Sequence, residues 1–241
     1  MMRLIDIHSH ILYGADDGAR TEEDSHEMLK MAAGDGIRAI LLTPHYHREK
    51  LLCGREECLL RYRDLKKYIE ENKLPLRLAY GAEIYYVEGI EEELEQKKCP
   101  TLNATSFVLV EFDPGYAFSS LLNGLLKLQA CGYQPILAHA ERYECILEKP
   151  DRVRELKDHR IWIQLNAGSV LGDFGRPVKS FCKGVLKKGL ADIIATDAHS
   201  VTHRKPLLSE AYKYTEKKYG EAYANALFFE NPLRVLQGKR D

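Results

Sequence analysis

The 241-residue sequence is 45% hydrophobic and 29% charged, enough apolar mass for a packed core, which excludes disorder as its main state. Its 35 basic side chains nearly cancel its 36 acidic ones, so no overall basic bias marks a nucleic-acid binder. No stretch approaches the roughly 18 apolar residues of a membrane span, and Asp6, His8 and His10 break up any signal-peptide core. The expectation is one cytoplasmic domain over residues 1–241. Its six cysteines hold no C-x-x-C pair and read as reduced thiols rather than disulfides.

Short apolar, β-branched runs alternate with amphipathic stretches. Residues 4–7 predict a first strand. Thr21-x-x-Asp24 predicts a helix N-cap, with Met28, Met31 and Ala32 on the apolar stripe and Gly34 and Gly36 closing the helix. Residues 37–43 predict a second strand, stopped by Pro44. Cys58, Tyr62, Leu65 and Ile69 recur at helical spacing. Strands three and four fall over 76–80, ending at Gly81, and over 107–112. A leucine-rich helix over about 120–131 ends at Gly132, and strand five occupies 134–138. A helix over 150–158, with Pro150 near its first turn, precedes strand six at 161–165. A helix over 177–188 stops at Gly189, strand seven spans 190–196, and residues 206–237 are mostly helical. This alternation predicts an α/β fold of parallel βαβ units, a closed or nearly closed barrel. An open doubly wound sheet would need a Gly-rich phosphate turn after the first strand, where Asp6-Ile7-His8-Ser9-His10 stands instead.

Nearly every predicted strand ends in a metal-ligand type. Strand one ends at His8 and His10, with Asp16 and Asp17 in the loop beyond it. His45 follows strand two, Glu83 follows strand three, and strand four carries Glu111. His139 follows strand five, and Asp197 and His199 follow strand seven. In a parallel barrel these ends share one rim. Strand alternation sends His8 and His10 to the same side. A lone His or Glu is usually a surface or capping residue, but chance would have to place all of these at one register. Mixed imidazole and carboxylate without thiolate suits Mn, Fe, Zn or Co. The ligands exceed the needs of one ion; two or three ions sharing a carboxylate suit phosphate-ester hydrolysis. No cysteine begins the Cys-x5-Arg loop of a cysteine-based phosphatase.

The DxHxH at Asp6–His10, the Thr43-Pro44-His45 run, the Glu83 and His139 segments and Asp197-Ala198-His199 resemble the PHP (polymerase and histidinol phosphatase) superfamily. Asp16-Asp17-Gly18, Gly81-Ala82-Glu83-Ile84-Tyr85-Tyr86, Val110-Glu111-Phe112 and His139-Ala140-Glu141-Arg142-Tyr143 are similar to its CpsB/CapC branch, as are Tyr219-Gly220-Glu221-Ala222 and Glu230-Asn231-Pro232. Those are bacterial manganese-dependent protein-tyrosine phosphatases of capsule and exopolysaccharide operons.

The resemblance implies a distorted (β/α)7 barrel with three metals, Mn²⁺ by preference. His8, His10, Glu83 and Asp197 would hold the first ion. Glu83, Glu111 and His139 would hold the second, and Asp17, His45 and His199 the third. Arg142 and Arg204 would grip the phosphate, a task suited to bidentate Arg. The implied substrate is the phosphotyrosine-rich tail of a bacterial tyrosine kinase, with no nucleic acid and no direct membrane insertion. Tyr46, Tyr85, Tyr86, Tyr116 and Phe118 are candidates to line the rim, with core packing the alternative for each. His47 and the charged loop over 48–55 are candidate rim features or plain surface. A small-molecule phosphatase of the histidinol phosphate type, a metal-dependent nuclease and a non-catalytic barrel are the rival readings.

Overall fold

The computed structural model describes residues 4–48 and 53–240. Nine parallel strand segments run β1 (Leu4–Ser9), β2 (Ile37–Leu42), β3 (His45–Tyr46), β4 (Arg77–Tyr80), β5 (Glu83–Tyr85), β6 (Phe107–Glu111), β7 (Gln134–Leu137), β8 (Trp162–Asn166) and β9 (Ile193–Ala195). They pair as β1-β2-β4 and β3-β5-β6-β7-β8-β9. β3 continues β2 after a break at Thr43-Pro44, because Pro44 has no N–H for the ladder. β5 likewise continues β4 after Gly81-Ala82. The two lines stay in step across both breaks: Gly81 N–H donates to Leu42 O (3.0 Å) and Glu83 N–H to Pro44 O (3.2 Å). The nine segments thus follow the seven predicted strand lines, two of them broken rather than stopped.

The lines curl into a ring. At the carboxyl ends β1 meets β9, with Asp197 N–H on His8 O (2.9 Å) and His10 N–H on Ala198 O (2.8 Å). At the other end β4 and β6 do not pair. The 3₁₀ turn Leu102–Ala104 sits beside both, and its Leu102 packs so closely on Gly81 that a Cβ there would lie 2.9 Å from Leu102 Cδ2. That gap is the distortion of the barrel.

The barrel interior is layered. Its closed end is apolar, with Ile5, Ile7, Leu41, Ala79, Phe107, Leu109, Ile136, Trp162, Ile193 and Ala195 buried together. Phe107 meets Trp162 edge to face at 5.1 Å, and Val235 of the C-terminal helix Asn231–Gln237 joins this cluster. The second apolar cluster lies between strands and helices. The helix Glu22–Asp35 starts at the predicted capping box, Thr21 and Asp24 bonding each other's backbone N–H (3.2 and 3.0 Å). It buries Met28, Leu29 and Ala32. Gly34 lies inside this helix, and Gly36 alone closes it in the left-handed conformation. The helices Ile90–Glu95 and Ala167–Leu171 have no counterpart among the predicted elements.

Candidate metal centre

Plain alternation along β1 would put His8 and His10 on the face opposite Ile5 and Ile7, away from the interior. A bulge prevents this. From Asp6 to Ser9, β1 spends three steps while its partner β2 spends two, Ile40 to Leu42. The extra residue reverses the phase, so apolar Ile5 and Ile7 and then both histidines face inward, a known use of bulges beside active sites. His45 and Glu83 each stand at the first residue after a strand break. Glu111 ends β6. His139 and Asp197 follow β7 and β9 in left-handed backbone (φ 32° and 52°), as does Arg204 (φ 48°). That conformation costs a non-glycine residue about 1–2 kcal/mol, and such strain clusters where surrounding structure fixes a functional geometry.

The nine candidate ligands come together. His8 Nε2 and His10 Nε2 are 3.2 Å apart; each lies 3.2 Å from Glu83 Oε2, and they lie 3.4 and 3.3 Å from Asp197 Oδ1. His45 Nδ1 is 2.7 Å from Glu111 Oε1 and 3.1 Å from Glu83 Oε2. His139 Nε2 is 2.7 Å from Glu83 Oε1 and 3.7 Å from Glu111 Oε2. Asp17 Oδ1 lies 3.5 Å from His45 Nε2 and 3.3 Å from His199 Nε2, with His10 in the same group. Gly18 lets this loop approach, since a Cβ there would lie 2.1 Å from His10 O.

Hydrogen bonds fix the tautomers. Gln164 Oε1 accepts from His139 N–H (2.8 Å) and faces His8 Nδ1 (3.1 Å), so the His8 proton sits on Nδ1. Asp16 Oδ2 accepts from His10 Nδ1 (2.6 Å) and from His45 N–H (2.9 Å). The Asp197 carbonyl accepts from His199 Nδ1 (2.8 Å). His8, His10 and His199 therefore present bare Nε2 lone pairs. In the His8–His10–Glu83–Asp197 tetrad, four lone-pair atoms face one another at 3.2–3.4 Å and repel unless a cation lies between them. Ligands of a tetrahedral ion with bonds of about 2.0–2.1 Å stand about 3.3 Å apart, so the spacing fits one. Glu83 Oε2 and His199 Nε2 are buried without a hydrogen-bond partner, the deficit that a bound ion would cover.

The charges agree. Burial alone would lower the pKa of His8, His10 and His45, but the facing carboxylates more than offset it, raising all three and taking His45 to about 10. Burial would raise Glu83 and Asp197, yet the histidine charges hold both well below the carboxylate range. The cluster attracts cations strongly, and without metal it takes protons.

Arg142 Nη1 and Arg204 Nη1 both reach Asp197 Oδ2 (3.3 and 3.1 Å), and Arg204 Nη2 lies 3.8 Å from Asp17 Oδ2. Their side chains are 43% and 26% exposed, and each guanidinium keeps further N–H donors at the mouth. Among the rim candidates, Tyr46, Tyr86 and Phe118 belong to the core instead. Tyr46 donates to Glu93 (2.8 Å), Tyr86 stacks on Phe112 (4.8 Å) and Phe118 lies under Arg152 (4.8 Å). Tyr85, Tyr116 and His47 stay partly exposed. Of the loop over 48–55, residues 49–52 lie outside the described residues.

Sequence reasoning missed the supports. β8 is the one line that ends without a ligand, yet Gln164 holds His8 and His139. Gln164 Nε2 donates to Asn166 Oδ1 (2.8 Å), and Asn166 Nδ2 donates to Asp197 Oδ2 (2.8 Å). The available signal was two polar residues at alternate positions of an otherwise apolar run. Gln164→Leu is expected to weaken metal binding about 10–100-fold while the fold persists. A metal titration followed by circular dichroism checks this, and unchanged affinity would refute the support role.

A barrel of this kind, with a mouth that gathers imidazoles and carboxylates around bare lone pairs, is a metal-binding barrel of the PHP type. The sequence matches the family described as capsular polysaccharide synthesis, CpsB/CapC, over residues 4–237, and the chain belongs to that family. It is 33% identical over 238 residues to the tyrosine-protein phosphatase CpsB of Streptococcus pneumoniae, covering 97% of this chain and 98% of that one. It is 34% identical over 222 residues to the tyrosine-protein phosphatase YwqE of Bacillus subtilis, covering 90% and 85%. A crystal structure from work on YwqE and CpsB as unique metal-dependent tyrosine phosphatases superposes with a TM-score of 0.91 at 31% identity, over 98% of this chain and 96% of that one. A histidinol phosphate phosphatase from Lactococcus lactis, complexed with zinc, L-histidinol and phosphate, superposes over 90% of this chain and 93% of that one (TM-score 0.57) at 15% identity, a likeness of fold alone. Among the described residues, no helix is long and apolar enough to cross a membrane.

Proposed function

We propose that this chain is a metal-dependent protein-tyrosine phosphatase that removes phosphate from a cognate bacterial tyrosine kinase and thereby regulates capsule or exopolysaccharide synthesis in the cytoplasm. The observation that carries this reading is the set of facing lone pairs of His8, His10, Glu83 and Asp197, buried beside two partly exposed arginines that reach Asp197. His8, His10, Glu83 and Asp197 would hold one ion, Glu83, Glu111 and His139 a second, and Asp17, His45 and His199 a third. Mn²⁺ is the proposed metal, and Fe, Zn or Co suit the same donors. Bound there, the ions would acidify water and neutralise phosphate oxygens.

The protein's own groups do the rest. Arg142 and Arg204 would meet the equatorial phosphate oxygens with donors already in place. Asp16, Gln164 and Asn166 would keep the ligands oriented. The tyrosyl leaving group, with a pKa near 10, needs little general-acid help. No cysteine takes part: burial and nearby Glu141 push the Cys182 thiol up, which makes it a poor nucleophile. Cys182→Ala is expected to keep full turnover, and an inactive but folded variant would overturn this mechanism.

The direct test measures phosphate release by metal-stripped protein, with and without Mn²⁺, from a tyrosine-phosphorylated peptide and from histidinol phosphate. The expected result is Mn²⁺-dependent turnover of the peptide with histidinol phosphate slow. The reverse preference would move the protein to small-molecule chemistry on the same barrel.

A further inference from the structure

The ring of candidate ligands does not end the order at the mouth. His45 on β3 is in register with Glu83 on β5, and two residues further out Tyr85 is in register with Glu111 on β6. Tyr85 shares a strand face with Glu83, so it points to the cluster side, one step nearer the rim. His47 stands one step out from His45 in the same way. Their rings stack at 4.8 Å with an interplanar angle of 26°. Both residues are only partly buried, whereas Tyr46 and Ile84, the intervening residues, and Tyr86 beyond them face the core. The arginines rise from the β7 and β9 lines, on the other side of the ring.

We propose that the stacked His47–Tyr85 pair is the platform on which the aromatic ring of the substrate lies, so that these two residues make the site select aryl over alkyl phosphate esters. This rests on the phosphatase reading above and names the residues that would set its substrate class. A phosphate held between Arg142, Arg204 and the cluster turns its ester substituent toward the β3 and β5 lines. There it meets a flat π surface directly outside the Glu83 and Glu111 carboxylates. A phenyl ring gains by offset stacking on that surface, and a flexible alkyl chain does not. An open platform also suits a phosphotyrosine carried on an extended tail, since it encloses nothing beyond the ring.

The test compares phenyl phosphate with glycerol phosphate in Mn²⁺-loaded wild type, Tyr85→Ala, His47→Ala and Tyr85→Phe. Inhibition by phenylphosphonate against methylphosphonate serves as a binding readout that needs no turnover. Tyr85→Ala is expected to cut the aryl-over-alkyl ratio of kcat/KM on the order of tenfold, and the aryl preference in inhibition equally. His47→Ala should cut both by less, and Tyr85→Phe, which keeps the ring, should restore them. Metal content checks that the cluster is intact. An undiminished aryl preference in both alanine variants overturns the platform, as does an equal fall with both esters at full metal content. Phe174, 45% exposed in the turn between the helices Ala167–Leu171 and Arg176–Lys187, is the competing ring: loss of the preference in Phe174→Ala but not in Tyr85→Ala also overturns the proposal. A wild-type chain inert toward both esters would instead overturn the phosphatase reading and the platform with it.

Discussion

Glu83→Gln is expected to lower phosphotyrosine turnover by roughly a thousandfold or more and to release at least one metal ion per chain. Loss of a hydrogen-bonded support around a metal ligand costs about 10–100-fold, and Glu83 is no support but the hub of the cluster. Its Oε2 lies within 3.2 Å of His8 and His10 and 3.1 Å from His45, while its Oε1 lies 2.7 Å from His139. No other carboxylate in the site faces four imidazoles. The amide has the same shape and no charge, so it leaves those histidines without the anion that draws a cation among them, and its NH₂ can point at a bare lone pair only by turning its oxygen elsewhere. Metal analysis of the purified variant, alongside steady-state kinetics, checks the prediction. A variant with full metal content and normal turnover would remove Glu83 from the centre of the mechanism. His45→Ala and His139→Ala test the flanking positions in the same assay and are expected to inactivate the enzyme as well.

The candidate ligand positions were legible because chemistry-bearing residues are conspicuous at the ends of β-branched runs, and a parallel barrel brings such ends to one rim. The capping box at Thr21 and Asp24, local in sequence, was equally visible. What could not be read is whatever depends on a partner far along the chain. Gln164 holds His8 across 156 positions, and Thr196 Oγ1 bonds Asp6 across 190. Nothing in the run around Gln164 announces that task. The bulge in β1 was hidden for a related reason. It exists only relative to β2, and without it His8 and His10 would turn out of the barrel while still obeying alternation. Pro44 and Gly81 read as strand stops because a break and a stop have the same local signature. Only the ladder between Gly81 and Leu42 shows that the lines resume, each time at a candidate ligand. The neighbouring aromatics at the end of β5 divide by strand face: Tyr86 falls on the core face and Tyr85 on the cluster face.

The metal-free protein is expected to lose stability as pH rises from about 6.5 to 9, while the Mn²⁺-loaded protein does not. His45 has a folded-state pKa of about 10 against an ordinary 6.5, and His8 and His10 shift in the same direction. For a group whose pKa is raised by folding, the folded state binds more protons than the unfolded one. The stabilisation is therefore complete below the unfolded value and is lost as pH climbs toward the folded one. The acid side runs the other way. Glu83 and Asp197 are lowered, so their contribution is present above ordinary carboxylate pKa values and fades as the medium becomes strongly acidic. The metal-free chain should thus be most stable between mildly acidic and neutral pH. An ion that takes the place of those protons reverses the upper limb: binding requires deprotonated imidazoles and releases protons, so affinity grows with pH. Melting curves of chelated and Mn²⁺-loaded protein from pH 6.5 to 9, below the range in which unperturbed Tyr and Lys titrate, should diverge steadily. Calorimetry of Mn²⁺ binding at pH 7, in buffers of different ionisation enthalpy, should show net proton release. A chelated protein with a flat melting temperature across that range, or binding without proton release, would mean that the histidines of the cluster are neutral before the metal arrives and that the facing lone pairs are held apart by something other than protons.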